Sequence, residues 1–216
     1  MTPTTSLTLH HAPGSRSTRV LWLLREMGLA HELAQKPLMD WVADRNYRQT
    51  NPSGRVPCLL VDGIARFESL ALMQTLLETH QPESPLWRAP GHAERADLLQ
   101  WMQYGETLAV HVQNLNQQLH FIRPPEARSA ATVKLEVVRL GRALAPVEQA
   151  LQEREFLLPG GFSAADIALG YAVAVSQMFR PLTDQPKLLA YAQSLARRPA
   201  AAGLLDFDAV SAAVSI

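Results

Sequence analysis

The chain has 216 residues, 47% of them hydrophobic, enough for one large core or two small ones, so disorder is not the default. Twenty basic side chains balance twenty acidic ones, which gives no reason to expect nucleic acid or an anionic membrane as a partner. The single cysteine, Cys58, excludes an intrachain disulfide framework and any metal site built from several thiolates.

Met1 to Ser6 lack the basic region and apolar stretch of a secretory signal, and no run of about 18 apolar residues suits a membrane span. A cytoplasmic protein is therefore expected. Residues 7–10 alternate weakly and run into Ala12-Pro13-Gly14-Ser15, which predicts a short strand ending in a turn. Over residues 19–27, Val20, Leu21, Leu24 and Met27 follow the helical period, and Trp22 and Leu23 widen the apolar face. Such a helix should be covered on more than one side. Gly28 is its expected stop, and residues 30–34 are read as the next strand of a strand-helix-strand unit.

Residues 37–50 are mixed and polar and are read as irregular or weakly helical. The run 56–61, the dipeptide Asp62-Gly63 and the run 64–67 predict a strand, a two-residue turn and a strand. Glu68-Ser69 then opens a helix to residue 79. Prolines and glycine between residues 81 and 91 break the pattern, and beyond them strand signals disappear. Helices are expected over 92–119, 127–154, 163–178 and 186–197. The expected organisation is an α/β domain over 1–82, a linker over 83–91 and an all-α domain over 92–216.

Three short features carry candidate chemistry, each with a plainer structural reading beside it. In Ser15-Arg16-Ser17-Thr18-Arg19, hydroxyls and a guanidinium precede a helix whose unpaired N–H groups favour anions such as a thiolate. A serine O–H can donate to a sulfur anion and lower the thiol's pKa, or it can simply cap the helix. Pro57 cannot join a sheet ladder, so the backbone at Val56 is either a strand start or free to pair with an extended peptide. Ser69 and the N–H groups at its helix start could hold a carboxylate while Glu68 attracts an ammonium; the same pair also reads as a cap.

In this order the three features resemble the N-terminal domain of the cytosolic glutathione transferases. The likeness rests on residues 15–29, on Asn51-Pro52-Ser53-Gly54-Arg55-Val56-Pro57-Cys58-Leu59 and on Phe67-Glu68-Ser69. In the helical half it rests on Phe162-Ser163-Ala164-Ala165-Asp166-Ile167 and on Arg197-Arg198-Pro199-Ala200. It implies a thioredoxin-like glutathione-binding domain, a cis Val56–Pro57 bond and glutathione as co-substrate. Val56 would pair with the cysteinyl part, Glu68 and Ser69 would hold the γ-glutamyl end, and Arg16, Arg55 and Pro57 would complete the binding set. Conjugation to small hydrophobic electrophiles, a detoxification role and a homodimer are further implications. A noncatalytic binding or regulatory protein on the same fold is the alternative.

His10 and His11 end the first strand, which disfavours a tyrosine-type site; the resemblance to the family's serine-dependent classes implies Ser15, four residues before Arg19, as the thiolate stabiliser, with Ser17 its competitor. Cys58 reads as a buried, inert thiol, and no histidine spacing suggests a metal. Ser163 and Asp166 read as a helix-capping pair serving the fold. The second-substrate pocket is expected between the loop after the first strand and the first helix of the all-α half. There Tyr104 and His111 are the candidate contacts, on a stripe shared with Trp101 and Leu108 that also reads as core. The homodimer is also suggested by Leu70, Leu72, Met73, Leu76 and Leu77, more apolar surface than one core face requires.

Overall fold

The computed structural model describes residues 5–205; Met1 to Thr4 and the last eleven residues of the expected all-α domain lie outside them. Strand β1 (Leu7–His11) buries Leu7, Leu9 and His11 while Thr8 and His10 are half-buried, as the two-residue strand period requires. Helix α1 (Ser17–Glu26) is buried continuously from Ser17 to Leu24, because it packs on β1 and on two helices of different halves. The chain leaves it through Gly28 at φ +63°, a left-handed position that glycine adopts without a Cβ clash.

Strand β2 (Glu32–Gln35) returns parallel to β1, with Leu9 opposite Leu33. Two short helices, α2 (Leu38–Ala43) and α3 (Tyr47–Thr50), follow where weak helicity is expected. Strand β3 (Cys58–Val61) starts two residues later than the sequence suggests, because Pro57 has no N–H for the ladder; the Val56–Pro57 bond is cis. The turn Asp62-Gly63, at φ 50° and 79°, leads into β4 (Ile64–Phe67) with Val61 opposite Ile64. These paired positive values define the tight hairpin turn that Asp-Gly favours.

The sheet order is β2-β1-β3-β4. His10 lies opposite Cys58, and Cys58 opposite Phe67. Continuing that register brings the turn after β1, Val56 before β3 and Glu68-Ser69 after β4 to one end of the sheet. Helix α4 (Ser69–His80) then packs on α1. Its Leu70, Leu72, Met73, Leu76 and Leu77 are all buried within the chain, so the apolar excess noted in the sequence is consumed by the chain's own core.

The connection 81–91 is packed down, with Leu86, Trp87 and Arg88 buried and the Leu86 carbonyl accepting the Ala164 N–H at 2.9 Å. Beyond it lie α5 (Arg95–Asn116), extended by a π-helical turn, α6 (Ala130–Ala150), α7 (Ala164–Ser176) and α8 (Pro186–Ala196). Helix α7 is buried on nearly every side and packs on α5, α1 and α8. One core therefore runs through both halves, from Leu9 and Trp22 to Met102, Ile167 and Leu195. The fold is a thioredoxin-like α/β domain followed by a mostly helical remainder. Among the described residues no helix is long and apolar enough to cross a membrane.

At the start of α7 the Asp166 carboxylate accepts the Ser163 N–H at 2.8 Å and the Ser163 hydroxyl at 3.0 Å. Its other oxygen accepts the Leu157 N–H and the Tyr191 hydroxyl, each at 3.0 Å. The capping box read from the sequence is present and also ties in the chain before it and α8. Burial pushes the Asp166 carboxyl up, against the pull of these four donors.

Candidate active site

Serine side chains gather where β1 ends and α1 begins. The Ser17 side chain is wholly buried, and its Oγ lies 2.7 Å from His11 Nδ1 and 2.7 Å from Ser15 Oγ. The Ala12 N–H donates to the same Ser17 Oγ at 3.1 Å. Ser15 is half-buried; its hydroxyl donates to the Ala12 carbonyl at 2.8 Å, and its Oγ accepts the Ser17 N–H at 3.3 Å. The result is a chain from His11 through Ser17 to Ser15, with only the last member reaching the surface. Burial, then the charge of Arg25, lowers the His11 imidazole to about 4, so it is neutral at physiological pH.

Helix α1 has no side-chain N-cap and no acidic residue in its first turn. Its positive end is thus uncompensated locally and favours an anion beside Ser15. A surface depression lined by Pro13, Gln35, Lys36, Pro37 and Leu38 opens beside the Pro13-Gly14 turn.

A second network, which adds Glu106 and Tyr171 to the residues the sequence singles out, joins this turn to the helical half. Arg19 is fully buried in α1. Its guanidinium donates to Ser69 Oγ at 3.4 Å, to the Gly105 carbonyl at 3.2 Å and to the Glu106 carboxylate. It also stands 4.8 Å from the centre of the Tyr171 ring, a cation–π distance. The Tyr171 hydroxyl donates to the Gly14 carbonyl at 3.1 Å, so α7 holds the turn that carries Ser15. Burial alone would push the Glu106 carboxyl up, but the charges of Arg19 and Arg16 outweigh it and hold it below its usual range.

Arg16 turns towards α5, paired with Glu106 at 2.9 Å and donating to Gln113 at 3.2 Å. Arg55 is exposed, and its carbonyl accepts the Tyr47 hydroxyl and the Asn51 amide, each at 2.7 Å. Val56 and Pro57 are buried beside Ala12 and Cys58. Glu68 is exposed at φ 74° and ψ 105°, whereas Ser69 is buried at the first position of α4. Cys58 is buried and its thiol pushed up by desolvation, an environment of low reactivity.

Tyr104 and His111 engage α6. The Tyr104 hydroxyl donates to the Ala143 carbonyl at 2.9 Å, and His111 Nδ1 lies 2.6 Å from a Glu136 carboxylate oxygen. The face of α5 turned to Arg16 carries Glu106 and Gln113 instead, with the exposed Val110 between them in the helical period. Among the described residues no group of three or more His, Cys, Asp or Glu is placed to hold a metal ion.

A thioredoxin-like domain whose first strand ends in a serine turn packs on a mostly helical remainder, and comparison with known proteins finds the same fold. Residues 9–85 match the family model for the glutathione S-transferase N-terminal domain. Glutathione S-transferase 3 of Schizosaccharomyces pombe is 31% identical over 101 residues, 46% of this chain but only 41% of that protein. Glutathione S-transferase GstA of Escherichia coli O157:H7 is 27% identical over 200 residues, 88% of this chain and 93% of that one. The solved ternary complex of BphK, a bacterial glutathione transferase, superposes with a TM-score of 0.77 at 29% identity, covering 89% of this chain and 94% of its own. Residues 9–85 thus carry a glutathione S-transferase N-terminal domain, and the chain as a whole is similar to glutathione transferases.

Proposed function

We propose that this protein is a cytoplasmic glutathione transferase in which Ser15 stabilises the thiolate of bound glutathione for attack on a small hydrophobic electrophile. The observation that carries this reading is the half-exposed Ser15 hydroxyl at the uncompensated N-terminus of α1. Ser17, wholly buried between His11 and Ala12, has no comparable access. The thiol proton leaves to solvent, the sulfur lone pair forms the new C–S bond, and the leaving group departs with its electron pair. One charge-assisted hydrogen bond to the sulfur lowers the thiol pKa, and the fixed pose supplies orientation.

Glutathione would lie across the sheet end, its cysteinyl part paired with the Val56 backbone and its γ-glutamyl carboxylate and ammonium held by Ser69 and Glu68. The depression at Pro13 and Lys36 suits the remaining carboxylate. The electrophile would enter between the Pro13-Gly14 turn and the face of α5 bearing Glu106, Val110 and Gln113. Tyr104 and His111 would then shape that wall from behind, through α6.

Calorimetric titration with glutathione, followed by a conjugation assay with a generic aryl halide, tests the reading. Ser15→Ala should leave affinity nearly unchanged and slow conjugation about ten- to hundredfold, the worth of one hydrogen bond to a charged group. The noncatalytic alternative draws on the Ser15 hydroxyl being turned to the Ala12 carbonyl at 2.8 Å. It would show as glutathione binding without turnover. A homodimer is proposed through edge strand β4, where Ile64 and Phe67 stand 57% and 47% exposed; light scattering should give about twice the chain mass.

A further inference from the structure

We propose that His11 is a positioning residue: acting through Ser17, it sets the direction of the hydroxyl chain so that the Ser15 proton is free to be donated to the thiolate. This rests on the reading of Ser15 as the sulfur's partner and adds what makes that hydroxyl a donor.

The case is one of counting donors and acceptors. A hydroxyl has one proton and two lone pairs. If His11 carries its proton on Nδ1, it donates to Ser17 Oγ across 2.7 Å, and the Ala12 N–H fills the other lone pair at 3.1 Å. Ser17 can then only donate, and its shorter acceptor is Ser15 Oγ at 2.7 Å, against 3.2 Å to the Ala12 carbonyl. Ser15 Oγ now accepts from the Ser17 hydroxyl and from the Ser17 N–H at 3.3 Å. Both its lone pairs are used, and its proton remains. Without a ligand that proton rests on the Ala12 carbonyl at 2.8 Å; a thiolate, being charged, is the stronger acceptor.

The opposite tautomer reverses the chain. A bare Nδ1 draws the Ser17 proton, Ser17 Oγ then accepts from Ser15, and the Ser15 proton is diverted away from the ligand. The imidazole is neutral, so one ring nitrogen alone carries hydrogen, and the choice of nitrogen sets the direction of the chain. An Nδ1–H has the Ser17 Oγ at 2.7 Å as its acceptor, and with that proton in place the Ser15 hydrogen is the one left for the ligand.

Nitrogen chemical shifts of His11 in the unsubstituted protein read the tautomer directly: an Nδ1–H is expected, and an Nε2–H would overturn the proposal. The second measurement is the pKa of the bound glutathione thiol, followed by thiolate absorbance against pH. His11→Phe and Ser17→Ala should each raise it by about one unit, roughly tenfold less thiolate at a fixed pH below it. The double variant should move it no further. His11→Asn, which presents an N–H at the same position, should restore it, a rescue that mere space-filling does not provide. If Ser15→Ala raises the thiol pKa while His11→Phe and Ser17→Ala do not, His11 has no positioning role and the Ser15 reading stands. If Ser15→Ala leaves it unmoved, the Ser15 reading itself fails and takes this one with it. Should His11→Phe not fold, His11→Asn, Ser17→Ala and the tautomer decide the matter.

Discussion

At the N-terminus of α7, Ser163 and Asp166 close on each other, and four donors converge on one buried carboxylate. At the N-terminus of α1, Ser15 and Ser17 bond to each other and to His11, with no acidic residue in the first turn and one hydroxyl at the surface. Both starts use serine to manage the unpaired N–H groups that every helix leaves. They differ in the negative partner: α7 carries its own at the third position, while the first turn of α1 carries none, and the proposed reading fills that place with the thiolate. A serine at a helix start is thus a cap or a binding group according to whether the chain supplies the anion.

Substitutions at the two ends should separate these roles. The largest effect is expected from Asp166→Ala, which orphans the Leu157 and Ser163 N–H groups and leaves the Ser163 and Tyr191 hydroxyls without their acceptor. Stability measured by urea unfolding should fall by about 3 kcal/mol, while glutathione affinity per folded molecule holds. Unchanged stability with lost affinity would make the two helix starts alike.

Next comes Glu106→Gln, which keeps the shape but leaves the buried Arg19 without its counter-charge. Removing one partner of a fully buried pair costs more; the Glu106 side chain is 35% exposed, so water screens it and about 2 kcal/mol is expected. A smaller effect, roughly a tenfold rise in glutathione Kd with melting nearly unmoved, is expected for Glu68→Ala and for Ser69→Ala, measured by calorimetry.

The smallest effect concerns pH. The folded His11 value of about 4 lies below the ordinary 6.5, so the unfolded chain takes up this proton first. The associated stability is complete above 6.5 and is lost progressively as pH falls toward about 4. Urea midpoints across that window should decline, and His11→Asn should flatten the decline.

Much of this was legible in the sequence because it is local. Asp62-Gly63 marks its hairpin, Gly28 its helix stop and Ser163 with Asp166 its capping box, each signal lying within a few residues of its effect. The proline in Val56-Pro57 signalled a ladder limit, and it set that limit by making β3 start at Cys58. What the sequence hid is long-range. Nothing near Arg19 announces that its partners are Gly105, Glu106 and Tyr171, because those residues meet it only when α5 and α7 cross α1. The side to which Tyr104 and His111 turn was equally hidden, since the helical period gives a face but not its neighbour; the Ala143 carbonyl and Glu136 on α6 decide it. His11 and Ser17 are six residues apart and meet because the turn between them folds back.

Tyr171 reaching Gly14, and Arg19 reaching Gly105 and Glu106, bear on how far the two halves can be exchanged. A chimaera joining this N-terminal half to the helical half of a distant relative would inherit a guanidinium with no acceptor and a serine turn with no brace. It would also need a glycine at position 105, where an added Cβ would stand 3.0 Å from the Ala168 carbonyl oxygen. Recombination between relatives should therefore succeed only when position 19 travels with positions 105, 106 and 171, making these four a unit of inheritance that crosses the domain border.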